Sequence, residues 1–403
     1  MRKGWQKKSL GELCAFTSGG TPSKSNPRYW AGKFPFVSAR DLKSERIANS
    51  TLHISKEAIE MSATKVAPVG SLLMLVRGMG LANGIQIGEV VSPVAFNQDI
   101  RALHPPLDSV LPRFLLLALK NCFVNGGGNR ALSSAAHGTL KIDTAALLQI
   151  AVLLPPLPEQ QRIVAVLDES FAGLATAKAN AEKNLQNARA LFEDHVQSIF
   201  SQKGEGWVEK RLEDLCTFSS GGTPTKSNRS FWSGKIPWIS GRDMKATRLS
   251  DSFLHISQAA VDRSATRMAP AGSLLLLVRG MGLAHGPQIA ELMVPCAFNQ
   301  DIKGIHSGPD LVPRFLLFAL RHQIQSNDNV LSSAAHGTLK IDADGLRGLE
   351  IPVPPRKQQE RIVTTIDALA AATSDLAHVY ERKLVALDSL KKSLLHQAFN
   401  GEL

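Results

Sequence analysis

The sequence has 403 residues, with 46 lysines and arginines against 35 aspartates and glutamates, which gives a formal net charge of +11. Hydrophobic residues make up 44% of the chain and charged residues 20%, which excludes a disordered or fibrous protein and fits about two to four globular domains. The positive excess favours a polyanionic partner, of which nucleic acid is the commonest, although a merely basic soluble protein has the same balance.

The start of the chain, MRKGWQKKSLGEL, has basic residues but no apolar run behind them, so it predicts no secretory signal. The most apolar stretches, Leu72–Val76 and Leu115–Leu119, are too short to cross a bilayer. These features predict a cytoplasmic protein with no membrane partner. The cysteines support a reducing compartment and neither a zinc site nor a redox pair, because none lies two residues from another: Cys14, Cys122, Cys216 and Cys296.

The sequence is an internal duplication. The shift between copies is 202 residues for the first three matches and 199 for the last, which predicts a small deletion in the second copy near Pro309–Asn329. A period this long indicates two copies of one module of about 200 residues rather than a solenoid. The matches are FTSGGTPSKSN and FSSGGTPTKSN from Phe16 and Phe218, VRGMGLANG and VRGMGLAHG from Val76 and Val278, FNQDI from Phe96 and Phe298, and LSSAAHGTLKID from Leu132 and Leu331.

The first part of each copy, Trp5–Leu154 and Trp207–Val353, is rich in glycine, proline and short apolar runs, which is typical of a mixed α+β domain. The patterns predict strands at Phe34–Ser38, Ser71–Val76 and Ile236–Ser240, and helices that open with proline at Pro112–Cys122 and Pro313–Ile324.

The second part of each copy opens with PPLPEQQRIV or PPRKQQERIV and then has no proline and, apart from Gly173, no glycine over about 40 residues. Apolar or small residues recur there at steps of three and four, which predicts a long helix with a coiled-coil seam that Lys178 and Thr373 interrupt. Two such helices most simply pack against each other as a rod. The seam positions are Val164, Leu167, Phe171, Leu174, Lys178, Ala181, Leu185, Ala188 and Phe192, then Val363, Ile366, Ala370, Thr373, Ala377, Tyr380, Leu384 and Leu387.

Polar and basic residues recur at matching positions of the two copies. Arginine and lysine neutralise phosphates, arginine also pairs with guanine, and asparagine or glutamine presents the donor and acceptor that adenine requires. The loop Gly19–Trp30 suits close approach to a nucleic-acid backbone, with an ordinary surface turn as the alternative. Arg113 and Arg314 also recur. The candidate DNA-binding residues are Lys24, Ser25, Asn26, Arg40, Lys43, Arg46, Arg77, Asn97, Gln98, His137 and Lys141, with Lys226, Ser227, Asn228, Arg242, Lys245, Arg248, Arg279, Asn299, Gln300, His336 and Lys340.

Motifs for catalysis are missing from the sequence. No P-loop occurs, no cluster of histidines, cysteines or carboxylates suggests a metal site, and the glycines of VRGMGLANG do not fit a dinucleotide fingerprint. Ser133, His137 and Asp143 lack the nucleophile elbow of a hydrolase, so a polar loop that contacts DNA or caps the next helix is the better interpretation. We expect a binding protein with no catalytic residue.

Taken together, these motifs resemble the specificity subunit of type I restriction–modification systems over essentially the whole chain. The resemblance rests on SGGTPSKSNPRYW and SGGTPTKSNRSFW, IPWISGRDM, FNQDI, and PPLPEQQRIV leading into a helix. The second leader departs from the pattern, with Lys357 where Pro158 stands and Gln358 in place of Glu159, which leaves its helix start open.

The resemblance implies an α+β fold with two homologous target-recognition domains, 1–154 and 204–353, and two conserved helical spacers, 155–203 and 354–403. The spacers would form an antiparallel coiled coil in a pseudo-twofold arrangement. The chain would be no enzyme and hold no cofactor. Its implied partners are double-stranded DNA, two methyltransferase subunits and two restriction–translocase subunits, which would carry S-adenosylmethionine, ATP and Mg²⁺.

The two domains are nearly alike, with every residue of LSSAAHGTLKID shared, so we expect a bipartite target whose halves are inverted repeats. The halves would diverge where the copies differ, as at Pro27 and Arg229. The alternatives are the specificity chain of a related type II system with a combined methyltransferase–nuclease partner, and a scaffold whose duplicated domains bind proteins. A stand-alone methyltransferase or nuclease lacks its motifs.

Overall fold

The computed structural model describes residues 4–126, 128–134, 139–327, 330–333 and 339–403. Its contacts divide the chain into two units. The first contains Met1–Glu182 together with Glu381–Leu403, and the second contains Lys183–Tyr380. The division falls inside the two long helices, so each helix contributes one part to each unit.

The first copy of the repeat carries short strands, short helices and the first long helix. Its strands are β1 (Gln6–Ser9), β2 (Ala15–Ser18), β3 (Phe34–Val37), β4 (Arg46–Ile47), β5 (Leu52–Ile54), β6 (Lys65–Ala67), β7 (Leu72–Leu75), β8 (Ile87–Val90), β9 (Val94–Phe96), β10 (Ile100–His104), β11 (Leu132–Ser134), β12 (Leu140–Ile142) and β13 (Ala151–Leu154). Its helices are α1 (Leu10–Leu13), α2 (Lys56–Met61), α3 (Pro112–Val124), α4 (Thr144–Leu148) and α5 (Leu157–Gln202), with 3₁₀ turns at Pro27–Trp30, Met79–Asn83 and Asn129–Ala131.

The second copy repeats this order of elements. Its strands are β14 (Val208–Arg211), β15 (Cys216–Ser220), β16 (Ile236–Ile239), β17 (Arg248–Leu249), β18 (Leu254–Ile256), β19 (Arg267–Ala269), β20 (Leu274–Leu277), β21 (Ile289–Leu292), β22 (Cys296–Phe298), β23 (Ile302–Ser307), β24 (Leu331–Ser333), β25 (Leu339–Ile341) and β26 (Glu350–Val353). Its helices are α6 (Leu212–Leu215), α7 (Gln258–Arg263), α8 (Pro313–Gln325), α9 (Ala343–Arg347) and α10 (Arg356–Asn400), with 3₁₀ turns at Arg229–Trp232 and Met281–His285.

Each module is built on two main sheets with the same strand order. In the first module a five-stranded sheet runs β2-β10-β7-β8-β4 and a four-stranded sheet runs β5-β3-β9-β6. The second module has β15-β23-β20-β21-β17 and β18-β16-β22-β19. All four residues of the central strand β7 are fully buried, which explains why LLML is apolar throughout instead of alternating. The mixed α+β fold predicted from the sequence is confirmed.

The predicted helices α3 and α8 form the core beside the five-stranded sheet of each module. Each begins with proline at its first turn, where a missing backbone N–H costs nothing. Every side chain from Phe114 to Leu119 is buried, and so is every side chain from Phe315 to Leu320. The copies stay 202 residues apart through β10 and β23, are 201 apart at these helices and 199 apart at β11 and β24. The predicted deletion is therefore two events, one before α8 and one after it.

The two long helices run antiparallel where they meet in each unit. In the first unit the Lys178 ammonium lies 3.0 Å from the Asp388 carboxylate, and Arg162 donates to the carbonyl oxygen of Leu403 at 2.9 Å. In the second unit Gly204, just after α5, lies against the Gln358 side chain near the start of α10. The antiparallel pairing of the helices is therefore confirmed.

Both polar residues of the predicted seam have hydrogen-bonding or ionic partners, so neither disrupts the helix pair. Lys178 forms the ion pair with Asp388, and the buried Thr373 hydroxyl donates to the carbonyl of Leu369 one turn earlier at 2.8 Å. Ala181 and Ala188 are buried as the seam requires. Within the described ranges, no helix combines the length and apolar character needed to cross a membrane.

Candidate nucleic-acid interface

Five segments of the first module converge on one edge, and backbone hydrogen bonds hold them together. The amide of Gly20 donates to Phe96, that of Asn97 to Val37 and that of Val76 to Asp99, at 3.1, 3.1 and 2.8 Å. The amide of Gly78 donates to Leu140 at 3.0 Å, which joins the segment after β7 to β12. We call residues 19–26, 38–43, 76–84, 97–99 and 139–142 the first loop edge.

The second module holds the matching segments by the same bonds. The amide of Gly222 donates to Phe298, that of Asn299 to Ile239 and that of Val278 to Asp301, at 2.9, 3.0 and 2.8 Å. The amide of Gly280 donates to Leu339 at 3.2 Å. Residues 221–228, 240–245, 278–286, 299–301 and 339–341 form the second loop edge.

Most of the candidate cations lie exposed on these two edges. The structure thus brings together residues that are up to about 120 positions apart in sequence. Lys340 is half-buried, and the Arg242 guanidinium lies 4.1 Å from the centre of the exposed Phe253 ring, which fixes its direction. The exposed cations are Lys24, Arg40, Lys43, Arg77 and Lys141 on the first edge and Lys226, Arg242, Lys245 and Arg279 on the second.

Carboxylates near these cations serve the loops themselves. Asp41 accepts hydrogen bonds from the backbone and hydroxyl of both Ser38 and Thr51, at 2.8 to 3.1 Å. Burial would raise the pKa of Asp41, but these hydrogen bonds outweigh it and hold the pKa below its usual value. The charged Asp41 therefore ties the segment after β3 to the chain before β5.

Asn97 and Asn299, proposed as adenine-reading residues, are turn formers in the structure. The Asn97 side-chain oxygen accepts from the Asp99 amide at 3.2 Å, and its nitrogen donates to the Asp99 carboxylate at 3.5 Å. Asn299 makes the same pair of bonds with Asp301. Both halves of each amide are thus engaged inside the chain, so base reading by these two residues stays a prediction without support from their geometry.

Gln98 and Gln300, the next residues, are more exposed than Asn97 and Asn299. Both are exposed, and each side-chain oxygen accepts a hydrogen bond from a threonine of the glycine-rich segment, Thr21 or Thr223. The threonine therefore holds the oxygen of each amide. In the second module the nitrogen also donates to the Asp301 carboxylate at 3.4 Å, so both ends of the Gln300 amide are engaged inside the chain.

The glycine-rich segment is shaped by contacts inside the protein. A side chain on Gly19 would lie 2.2 Å from the Asn97 carbonyl oxygen, so glycine is required by the close approach of two loops. Packing inside the protein therefore explains these glycines, and close approach to nucleic acid stays a prediction. Asn26 and Asn228 cap the following 3₁₀ turns through their side-chain oxygens, while Ser25 and Ser227 are exposed.

Arg46 and Arg248 lie away from the loop edges, where each module meets the long helix that follows it. The Arg248 guanidinium lies 2.8 Å from Asp367 of α10 and 3.8 Å from Glu291. Arg46 lines a cleft of about 690 Å³ together with Glu89 and Asp168 of α5. Burial raises the pKa of Glu89, and the charge of Arg46 opposes this rise. The pairing of Arg248 indicates a structural role, and DNA contact by Arg46 and Arg248 stays a prediction without support from this geometry.

Arg113 and Arg314, which recur like the DNA-binding candidates, belong to the same junction. The Arg113 guanidinium lies 2.6 Å from Asp168 and 2.5 Å from Glu45. Burial would raise the pKa of Glu45, but its ion pairs with Lys120 and Arg113 outweigh burial and lower it. Arg314 pairs with Asp367 at 2.9 Å and is more deeply buried than Arg113.

Sequence reasoning missed a buried glutamine at the start of each long helix. The fully buried Gln160 accepts from the Leu111 amide and donates to the carbonyls of Ser109 and Pro155, all at 2.9 Å. Gln359 makes the matching bonds to Val312, Asp310 and Pro354. The signal was the glutamine at the sixth position of both leaders, and the common geometry shows that the altered second leader starts its helix in the same way.

His137 and His336 lie outside the described residues. Asp143, once weighed as part of a triad, caps α4 by accepting from the Ala146 amide at 2.8 Å, and Asp342 caps α9 in the same way at 2.9 Å. Across the described ranges, no three histidine, cysteine or carboxylate residues come together as a metal site.

Comparison with known proteins gives one consistent family. The chain is 32% identical over 247 residues to the specificity subunit of the type I restriction enzyme EcoR124I/EcoR124II from Escherichia coli, a match that covers 59% of each chain. The chain thus spans about three fifths of the length of that relative.

Two solved structures share its fold. A chain from a study of complex assembly and conformational transition of the type I R-M system has a TM-score of 0.80 at 19% identity, covering 100% of this chain and 99% of the other. The HsdS subunit from Thermoanaerobacter tengcongensis has a TM-score of 0.63 at 18% identity, covering 100% and 98%. The family described as "Type I restriction modification DNA specificity domain" matches residues 2–185 and again residues 204–384, so the chain belongs to this family and carries two copies of its domain.

Proposed function

We propose that this chain is the non-catalytic DNA-recognition subunit of a type I restriction–modification complex. One observation carries the proposal: both modules present four matching exposed cations on a loop edge that backbone hydrogen bonds hold in the same way. Cations on a firm surface neutralise phosphates with little loss of conformational entropy on binding. The family supports the same function.

The proposed partners are a pair of methyltransferase subunits and a pair of restriction–translocase subunits. The long helices offer a surface for them, since α10 exposes Val379, Val385 and Leu390 to 46, 68 and 48%. We propose that S-adenosylmethionine, ATP and Mg²⁺ are bound by those partners in the cytoplasm. Co-purification of the full chain with the methyltransferase encoded beside it tests the assembly, and an unbound chain would contradict it.

Removing a loop-edge cation is expected to weaken DNA binding through the loss of one phosphate contact. Arg40→Ala and Arg77→Ala should each lower affinity for specific and nonspecific duplexes alike and make the slope of log K against log salt shallower by about 1. The measurement is a titration of fluorescent duplex by the full chain at several salt concentrations. Lys7→Ala, on the separate β1–β13 sheet, is the control and should bind as wild type. Unchanged binding in both loop-edge variants would favour a protein-binding scaffold instead.

We further propose that the target consists of two half-sites in inverted order with the same or nearly the same sequence. Support comes from the match between the modules. Both have matching cations, an exposed glutamine with a threonine partner, and a buried glutamine, Gln160 or Gln359, at the start of the following helix.

Mapping of methylated adenines in cells that carry the system checks this proposal directly. We expect a split motif whose halves are reverse complements, differing at about one position at most. Two unrelated half-sites would contradict the inverted repeat while leaving DNA recognition intact, whereas the absence of methylation that depends on this chain would contradict the proposed function itself.

A further inference from the structure

Each loop edge exposes one large apolar side chain. Met79 is 68% exposed in the first module and Met281 is 71% exposed in the second. Both open the 3₁₀ turn that follows the central strand of the five-stranded sheet. Exposed methionine side chains at the same place in both copies offer apolar surface that a partner could bury at each loop edge.

The turn that carries Met79 is held firmly at its base. Gly78 has φ of 142°, a conformation that favours glycine, and its amide donates to the Leu140 carbonyl. Leu81, two residues further on, is buried, and the Gln86 side chain donates to the Gly80 carbonyl at 3.4 Å. Because glycines flank Met79 on both sides, its side chain projects alone.

Cations lie at the base of the turn that carries this methionine. Arg77 is exposed and forms a β-bridge with Lys141, which places two positive residues at the base of the turn. The second module repeats the bridge between Arg279 and Lys340. An apolar tip above a base of cations is complementary to a nucleic-acid groove, in which phosphates border the bases, and is not complementary to an apolar protein surface.

We infer that Met79 and Met281 are specificity-determining residues that contact bases, each in one half of the target. The inference rests on the proposed DNA-recognition function and deepens it. The chemistry recognised is the apolar surface of a base, which comes either from the methyl group of thymine or from a base face exposed by partial unstacking.

The test uses the full chain co-purified with its methyltransferase and a duplex that carries the methylated motif. Met79→Ala should weaken binding to this duplex about tenfold, because the buried apolar contact is lost, without changing the salt slope. Met79→Leu should stay within about twofold of wild type, since it keeps an apolar side chain. Met61→Ala is the control, because Met61 is also 71% exposed but lies at the end of α2, outside the loop edge.

Two arms identify the source of the contact. Replacing thymines of the half-site by deoxyuridine should weaken binding of the wild type but not of Met79→Ala if the contact is a thymine methyl. A rise in 2-aminopurine fluorescence that Met79→Ala abolishes would show unstacking.

Equal binding by Met79→Ala and wild type, or an equal loss on nonspecific DNA, would overturn the inference. If the wild type does not prefer the motif duplex, the proposed function fails first, independently of either methionine.

Discussion

Replacing Gln160 by leucine is expected to lower the free energy of unfolding of the first unit by about 3 kcal/mol, since three backbone groups that bond to its fully buried side chain lose their partner. These groups are the Leu111 amide and the carbonyls of Ser109 and Pro155, next to the start of α5. Leucine has a similar volume but no polar atom, so none of the three groups is satisfied. Urea unfolding of the full chain measures the loss.

The matched control is the neighbouring residue. Gln161 is exposed, and Gln161→Leu should change stability by less than about 0.5 kcal/mol. If both variants unfold at the same urea concentration as the wild type, Gln160 does not fix the module to its helix. We expect the matching variant Gln359→Leu to act on the second unit by a comparable amount, because its bonds are the same.

Replacing Asp367 by alanine is the second large effect we expect, a loss of about 3 kcal/mol from the second unit. The Asp367 carboxylate pairs with Arg314, whose side chain is only 9% exposed, and with Arg248. Without it, the Arg314 guanidinium keeps the Thr247 carbonyl and the face of Phe318 but has lost its counter-ion inside the protein. Thermal or urea unfolding of the full chain checks the prediction.

Two further variants separate charge from packing. Asp375→Ala removes an exposed carboxylate of the same helix and should leave stability within about 0.5 kcal/mol of wild type. Adding Arg314→Met to Asp367→Ala should restore much of the lost stability, because a buried charge without a partner costs more than an apolar side chain at the same place. A double variant as unstable as Asp367→Ala alone would argue against this electrostatic cause.

The duplication and the periodicity of the sequence were enough to predict much of the fold. Matching segments at shifts of 202 and 199 residues defined the two modules, and apolar residues at steps of three and four defined the long helices. The two helices that open with proline were predicted with the starts that α3 and α8 have, and their predicted ends lie within three residues of the observed ones. The repeat, the periodicity and the prolines are all patterns along the chain, so they can be recognised in a single sequence.

The roles of individual polar residues could not be predicted in the same way, because recurrence does not distinguish a binding residue from a structural one. Arg77 and Arg248 both recur in the sequence, but the first is exposed on a loop edge and the second pairs with Asp367. Asn97 forms a turn where the sequence suggested base reading. Which partner each side chain finds depends on contacts between distant segments, and only the assembled sheets show them.

The route of the chain has a consequence for its synthesis. The core of the first unit includes Leu395, Ala398 and Phe399, and the Phe399 ring lies 5.2 Å from that of Phe114. These residues follow Tyr380 in the chain, so the second unit is complete before they have been synthesised. The module whose synthesis begins first is therefore the later of the two to finish folding, and a chain that stops at Tyr380 would leave it incomplete, not its twin.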